Sequence, residues 1–387
     1  MTRKRALFAL FAFLFLMVSG CGDGGGGGSD GGSSYNIDEI TDDAKLKNIY
    51  ADKFLIGNII NNTYMSGDYK KYLTTHYNTV TCENDMKPDY LAPGSGSYTF
   101  SKADEQVDAM IAAGMKVHGH TLVWHAQTPS WLTASDAETN MKKYIKDVME
   151  HFKGKVKSWD VVNEAMENDG LSKYENEIFN EGKWKEYLRK SPWLQKIDDG
   201  YIYTAFKTAR AADPDAILYY NDYGLNGTYK PRAVYNMIKE INEDWEDDAD
   251  YDDRKLIEGL GMQGHYGSWL NDDTNFNRLK GNIEKYLELG IYVDISELDI
   301  AFGSDEEKTG QNTAMSSNDA GAQAAAYAKL FKLLIELDAQ HPDQITRVTM
   351  WGIDDKNSWK SKGNPCLFDG SLNPKEAFWA VSDPNSY

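Results

Sequence analysis

Eight runs of strand length, rich in β-branched and aromatic residues, recur along this chain with room for a helix between them. They are "FLIGNII" (54–60), "TVTCEN" (79–84), "MKVHGHTLVW" (115–124), "VKSWDVVNE" (156–164), "AILYYNDY" (216–223), "IEGLGMQGHY" (257–266), "IYVDISELDI" (291–300) and "ITRVTMWGI" (345–353). The intervening helices are punctuated. In "ADEQVDAMIAAG", Val107, Met110 and Ile111 share a face, and Gly114 stands where a helix end is capped. "NRLKGNIEKYLELG" ends likewise at Gly290, and two more helical runs stop before Pro214 and Pro342. Strands alternating with helices make a parallel sheet. A count of eight favours ring closure, and no glycine-rich dinucleotide fingerprint argues for an open sheet. The expected fold is α/β, a (β/α)8 TIM barrel, as a single domain over residues 36–387.

The run "EINEDWEDDADYDD" (240–253) interrupts the rhythm. A calcium loop counted from Asp248 would need glycine and glutamate where Asp253 and Gly259 stand. A solvated loop between a helix and the sixth strand is expected instead.

Upstream of the barrel, Arg3, Lys4 and Arg5 precede an apolar run from Ala6 to Val18, the pattern of a secretory signal. The run is too short to span a membrane as a helix. Val18-Ser19-Gly20-Cys21 resembles a bacterial lipobox, which implies cleavage after residue 20 and a lipid on Cys21. Loss of residues 1–20 takes the formal charge from −19 to −22. Residues 21–35 are Gly/Ser-rich and are expected to act as a flexible tether. The expected place is the bacterial cell envelope, lipid-anchored and extracytoplasmic, with the membrane met through the anchor alone. A monomer is expected. The negative charge excludes a nucleic-acid partner, because phosphates need clustered Lys and Arg. The remaining thiols, Cys82 and Cys366, fit neither a zinc site nor a disulfide framework.

In a barrel of this kind, chemistry gathers where the strands end. Here strand after strand ends polar or aromatic: Glu83 and Asn84; His120, Trp124 and His125; Asn163 and Glu164; Asn221, Asp222 and Tyr223. Gln263 and His265, then Glu297 and Asp299, then Trp351 continue the series. No G-x-S-x-G elbow, P-loop or H-E-x-x-H is present, so no cofactor and no metal are expected. What remains is Glu164 and Glu297, on the fourth and seventh candidate strands, able to bracket one bound group. A carboxylate pair around an oxocarbenium-like transition state is the machinery of glycoside hydrolysis. The 10 Trp and 24 Tyr also offer flat faces for sugar rings.

"TCENDMK" (81–87), "GHTLVWHAQ" (119–127), "WDVVNEA" (159–165), "GLGMQGHY" (259–266), "ISELDI" (295–300) and "WGIDDKNSW" (351–359) together resemble glycoside hydrolase family 10. The resemblance runs in order from about residue 50 to 380 and implies a retaining endo-1,4-β-xylanase acting on xylan or xylo-oligosaccharides. It implies Glu164 as general acid/base and Glu297 as nucleophile, with His265 and Asp299 orienting the nucleophile. Asn163 would contact the 2-hydroxyl of the reacting sugar. Glu83, Asn84, Lys87, His120, Trp124 and Gln263 match glycone-side contacts; Trp351 and Trp359 would wall those subsites, and Tyr223 matches a leaving-group aromatic. Retention implies carboxyls roughly 5–5.5 Å apart. Glu164 must be protonated for its first step, and apolar surroundings with the Glu297 anion nearby are expected to favour that form. His118 is expected to point away from His120 and to be structural. Departures at Pro88-Asp89-Tyr90, at Cys366 and at the acidic run fall in loops and bear on subsite number. A retaining β-1,4- or mixed-linkage glucanase, and a non-catalytic glycan-binding lipoprotein, are the alternatives.

Overall fold

A computed structural model describes residues 35–168, 182–302 and 315–387. The expected signal, Cys21 and the tether up to residue 34 lie outside the described residues. The strands are β1 (Leu55–Ile60), β2 (Thr79–Cys82), β3 (Lys116–Trp124), β4 (Ser158–Asn163) and β5 (Ile217–Asp222). They continue with β6 (Gly259–Met262), β7 (His265–Gly267), β8 (Tyr292–Ala301) and β9 (Ile345–Met350). Pairing is parallel throughout and runs from β6 down to β1, on to β9 and then β8. Because β6 also pairs with β8, Gly259 opposite Tyr292, the ring closes. Closure joins the two edges that an open sheet of these eight strands would leave free, and among the described strands only the short β7 pairs on one side alone, with β8. Asn36–Tyr387 forms one compact unit.

The sixth expected strand is split. Gln263 and Gly264 interrupt it, and β7 continues against the far half of β8. Gly264 has φ +82°, and a Cβ there would stand 2.5 Å from Ile295 Cγ2, so only glycine fits. The break keeps the backbone bonded: Gln263 and Gly264 carbonyls accept from the Glu297 and Asp299 N–H groups at 2.7 and 3.2 Å. The seventh expected strand is therefore β8.

Contacts between non-adjacent strands pass through the barrel interior, which is polar and aromatic as well as aliphatic. Tyr219 of β5 shares a 2.9 Å hydrogen bond with Thr346 of β9, and Arg347 lies 5.9 Å from the same ring. The expected direction of His118 is wrong. Residues two apart on a strand share a face, and His118 and His120 both reach Asp160, at 3.0 and 2.8 Å. His118 is structural, buried and bonded to Ser158 Oγ at 2.7 Å; burial pushes it down to about 4. Asp160 is thereby held well below the carboxylate range, the histidine partners outweighing its burial.

The acidic run is also not the loop expected. Its first half completes the helix Lys230–Glu246, whose Ile241, Asn242 and Trp245 are buried while Glu243, Asp244 and Glu246 are exposed; Glu240 is half-buried and accepts from Trp184 Nε1 at 2.7 Å. Amphipathic spacing overrides the charge density. Beyond it, Asp248 ties back to Lys207 and Tyr203 at 2.8 and 2.6 Å. Gly114 and Gly290, at φ +80° and +65°, follow helix ends as expected. Cys82 and Cys366 are buried free thiols, pushed far above the ordinary thiol range by burial.

Candidate active site

Glu164 follows the last residue of β4 and turns the chain out of the barrel. Its φ of +55° is left-handed, a conformation that costs a non-glycine residue about 1–3 kcal/mol. Every polar group of the residue is held. Its N–H donates to the Asn221 carbonyl at 2.8 Å, and its own carbonyl accepts from Arg189 Nε at 3.0 Å. One carboxylate oxygen accepts from Trp124 Nε1 at 2.9 Å, the other from Gln263 Nε2 at 2.9 Å. His125 stands 3.8 Å from the first oxygen; burial, helped by the Arg189 charge, pushes that imidazole down to about 4, so it is neutral there.

Glu297, on β8, is buried at 6% exposure. Its Oε1 accepts from Asn221 Nδ2 at 2.8 Å, and its Oε2 meets His265 Nε2 at 3.2 Å. The other ring nitrogen of His265 bonds Asp299 Oδ2 at 2.8 Å, and that oxygen also accepts from Trp359 Nε1 at 2.8 Å. Burial alone would lower His265, yet the two carboxylates push it up to about 9. The ring is thus an imidazolium at neutral pH and donates through both nitrogens. Burial works to raise Glu297, but the His265 hydrogen bond and the His120 and His265 charges win, and the carboxyl is held below its ordinary range. An anion is stabilised in a nearly dry place.

The two glutamates belong to one network. Gln263 Nε2 reaches Glu164 and, at 3.4 Å, Asn163 Oδ1; Asn221 Nδ2 reaches Asn163 Oδ1 at 3.0 Å and Glu297. With Asn163 Oδ1 shared by two donors, its NH2 is the end left to donate elsewhere. Around this centre Lys87, buried, donates to Asn84 Oδ1 at 3.1 Å and lies 5.1 Å from the Trp124 ring. Burial pushes the Lys87 amine down despite the glutamates facing it. Glu83 accepts from Asn61 at 2.8 Å. His120 and His265 both meet Trp351 edge to face, at 5.7 and 6.4 Å. Trp351 is buried, whereas Trp359 is 45% exposed against His265 and presents an open aromatic face. Tyr223 lies on the Glu164 side, its hydroxyl accepting from Arg189 at 3.1 Å.

Every candidate site residue within the described chain thus falls at the C-terminal mouth. A cavity of about 350 Å³ at the opposite mouth, lined by Phe54, Ile217, Tyr292 and Arg347, contains none of them. Sequence reasoning placed Asn221 among the polar strand ends without giving it a role, and missed Asp160 and Arg189 as parts of the site. Asn221 and Asp160 carried a signal, since polar residues inside apolar strands are costly unless bonded. Arg189 carried none; it lies in a segment without a motif. Among the described residues no cluster of His, Cys, Asp and Glu is arranged to hold a metal ion.

A profile of glycosyl hydrolase family 10 matches residues 45–384. A β-1,4-xylanase of Dictyoglomus thermophilum is 34% identical over 346 residues, covering 87% of this chain and 90% of that protein. The exoglucanase XynX of Acetivibrio thermocellus is 33% identical over 361 residues, which is 88% of this chain and 29% of that one. Among solved structures, a bacterial Ig-like domain-containing GH10 xylanase from termite gut aligns with a TM-score of 0.79 and 36% identity. That alignment covers 92% of this chain and 80% of the other.

Proposed function

The chain belongs to glycosyl hydrolase family 10, and from that premise we propose that it cleaves internal β-1,4-xylosidic bonds of xylan with retention of anomeric configuration. The observation that carries this reading is the unequal treatment of two networked glutamates. Glu297 is buried, doubly hydrogen-bonded and held as an anion by the His265 cation; Glu164 sits at the cleft with Trp124 and Gln263 fixing its carboxyl.

Glu297 attacks the anomeric carbon while Glu164 protonates the departing oxygen; Glu164 then takes a proton from water, which releases the sugar from Glu297. Asp299 holds His265 so that its Nε2–H stays on Glu297. Asn163 donates to the 2-hydroxyl, a contact that can strengthen in the transition state. Glu83, Asn84, Lys87, His120, Trp124 and Gln263 bind the glycone, Trp351 and Trp359 wall it, and Tyr223 stacks the leaving sugar.

Similarity to an exoglucanase keeps a glucan reading in play. Xylose lacks the C6 hydroxymethyl group, so preference depends on whether Trp351 and Trp359 crowd that position. An NMR time course on xylohexaose and cellohexaose decides both questions. Xylohexaose is expected to be cleaved faster and to release the β-anomer first; initial α-anomer, or faster cellohexaose cleavage, overturns the reading. The N-terminal pattern Arg3–Cys21 supports export and lipid anchoring at the cell envelope. Labelled palmitate is expected in the wild type and lost in Cys21→Ser; equal labelling removes this part.

A further inference from the structure

We propose that Arg189 is a positioning residue for the acid/base, holding the backbone of Glu164 and tying it to Tyr223 on the leaving-group side. The proposal rests on the reading of Glu164 as acid/base. One guanidinium makes three contacts. Its Nε donates to the Glu164 carbonyl at 3.0 Å, and its Nη2 donates to the Met166 carbonyl at 3.4 Å and the Tyr223 hydroxyl at 3.1 Å. The main chain of the same segment pairs with the strand exit: Arg189 N–H to Ala165 O at 2.7 Å, Glu167 N–H to Tyr187 O at 2.7 Å, with an antiparallel bridge between Met166 and Leu188.

The need for such a clamp follows from the backbone. A glutamate at φ +55° persists only where its surroundings over-determine it. Asn221 holds the N–H side of the residue, and Arg189 holds the carbonyl side. Rotation of that peptide would swing the carboxyl off Trp124 and Gln263. Tyr223 is fixed just as firmly. Its N–H donates to Asp222 Oδ1 at 2.9 Å, and Lys230 lies 3.9 Å from its ring while pairing with Asp222 at 2.7 Å. A sugar stacked on Tyr223 is therefore registered against the proton donor through one planar fork. Lysine, with a single ammonium, cannot span the carbonyls and the phenol together.

The test measures kcat and KM for wild type, Arg189→Ala, Arg189→Lys and Tyr223→Phe on xylohexaose and on 2,4-dinitrophenyl β-xylobioside. The sugar leaving group needs a proton and the dinitrophenolate does not. Arg189→Ala is expected to lose about 10²-fold in kcat/KM on xylohexaose and no more than about threefold in kcat/KM on the aryl glycoside, the parameter that reports the first step alone while Glu164 also serves as base in the second, in line with displaced general acid catalysis. Arg189→Lys should recover less than half of the loss. Tyr223→Phe keeps the ring and removes only the phenol acceptor, so it should show the same selective loss on a smaller scale if Arg189→Ala does not fold. Equal losses on both substrates, or full activity in Arg189→Lys, overturn the proposal. A wild type inert on both glycosides overturns it together with the reading beneath it.

Discussion

Glu164 and Glu297 carry the same functional group in unlike settings, and the difference is testable one residue at a time. Glu297→Ala is expected to lower xylohexaose turnover by on the order of 10⁴–10⁶-fold, as removal of a nucleophile does. Glu164→Ala should cost about 10²–10⁴-fold on xylohexaose yet less than about tenfold in the first step on dinitrophenyl xylobioside. Burst kinetics with both substrates check this, and equal losses would reverse the assignment. His265 gives a pH prediction. Its folded pKa of about 9 lies above an unfolded value near 6.5, so its stabilising effect is complete below about pH 6.5 and disappears as pH rises through 9. The loss is on the order of 3 kcal/mol by linkage. Urea unfolding at pH 6 and pH 10 should show a drop in the wild type that His265→Gln largely lacks; parallel drops in both would refute it. At this scale most of the site was legible, because carboxylates, amides and indoles gathered at strand ends are costly to bury and stand out against apolar strands. Arg189 was illegible since an arginine in a plain segment looks like any solvated cation.

The strands show why position depends on what is missing as much as on what is present. On β6, Gly261 leaves room for Asn221: a Cβ there would stand 2.2 Å from Asn221 Oδ1 and 3.1 Å from Ser296 Oγ. Asn221 is the amide that holds both Asn163 and Glu297. Gly261→Ala is therefore expected to cost about 1–3 kcal/mol of stability. It should also cut kcat by roughly 10²-fold, the effect of about 1 Å of misplacement. Gly281, inside the helix Asp273–Glu288, has open space where a Cβ would stand, with nothing within 4 Å. Gly281→Ala should leave kcat alone and add roughly 0.5–1 kcal/mol. Melting curves and steady-state rates on the pair separate a positional effect from a general one; a Gly261→Ala enzyme with normal kcat would refute it. Eight strand-like runs were readable from β-branched content, but the split at Gln263–Gly264 was not. A glycine inside an apolar run looks the same whether the strand continues or bends, until β8 is beside it.

For the whole molecule, Asn36–Tyr387 contains the compact barrel and every candidate catalytic side chain. A chain beginning at Tyr35 is expected to match the full-length protein in xylohexaose kcat and in melting temperature to within about 2 °C, a shift worth roughly 1.5 kcal/mol at this size. A lower kcat would place function in residues 1–34. Local chemistry along the chain determined the alternation of strands and helices, the eightfold count and the polar strand ends, because propensity and periodicity act over a few neighbours. The split of the sixth strand at Gln263–Gly264, the shared face of His118 and His120 on Asp160, and the Arg189 contacts to Glu164 and Tyr223 were settled by folding alone. Each joins residues far apart in sequence, and a hydrogen bond between distant partners has no sequence period to announce it.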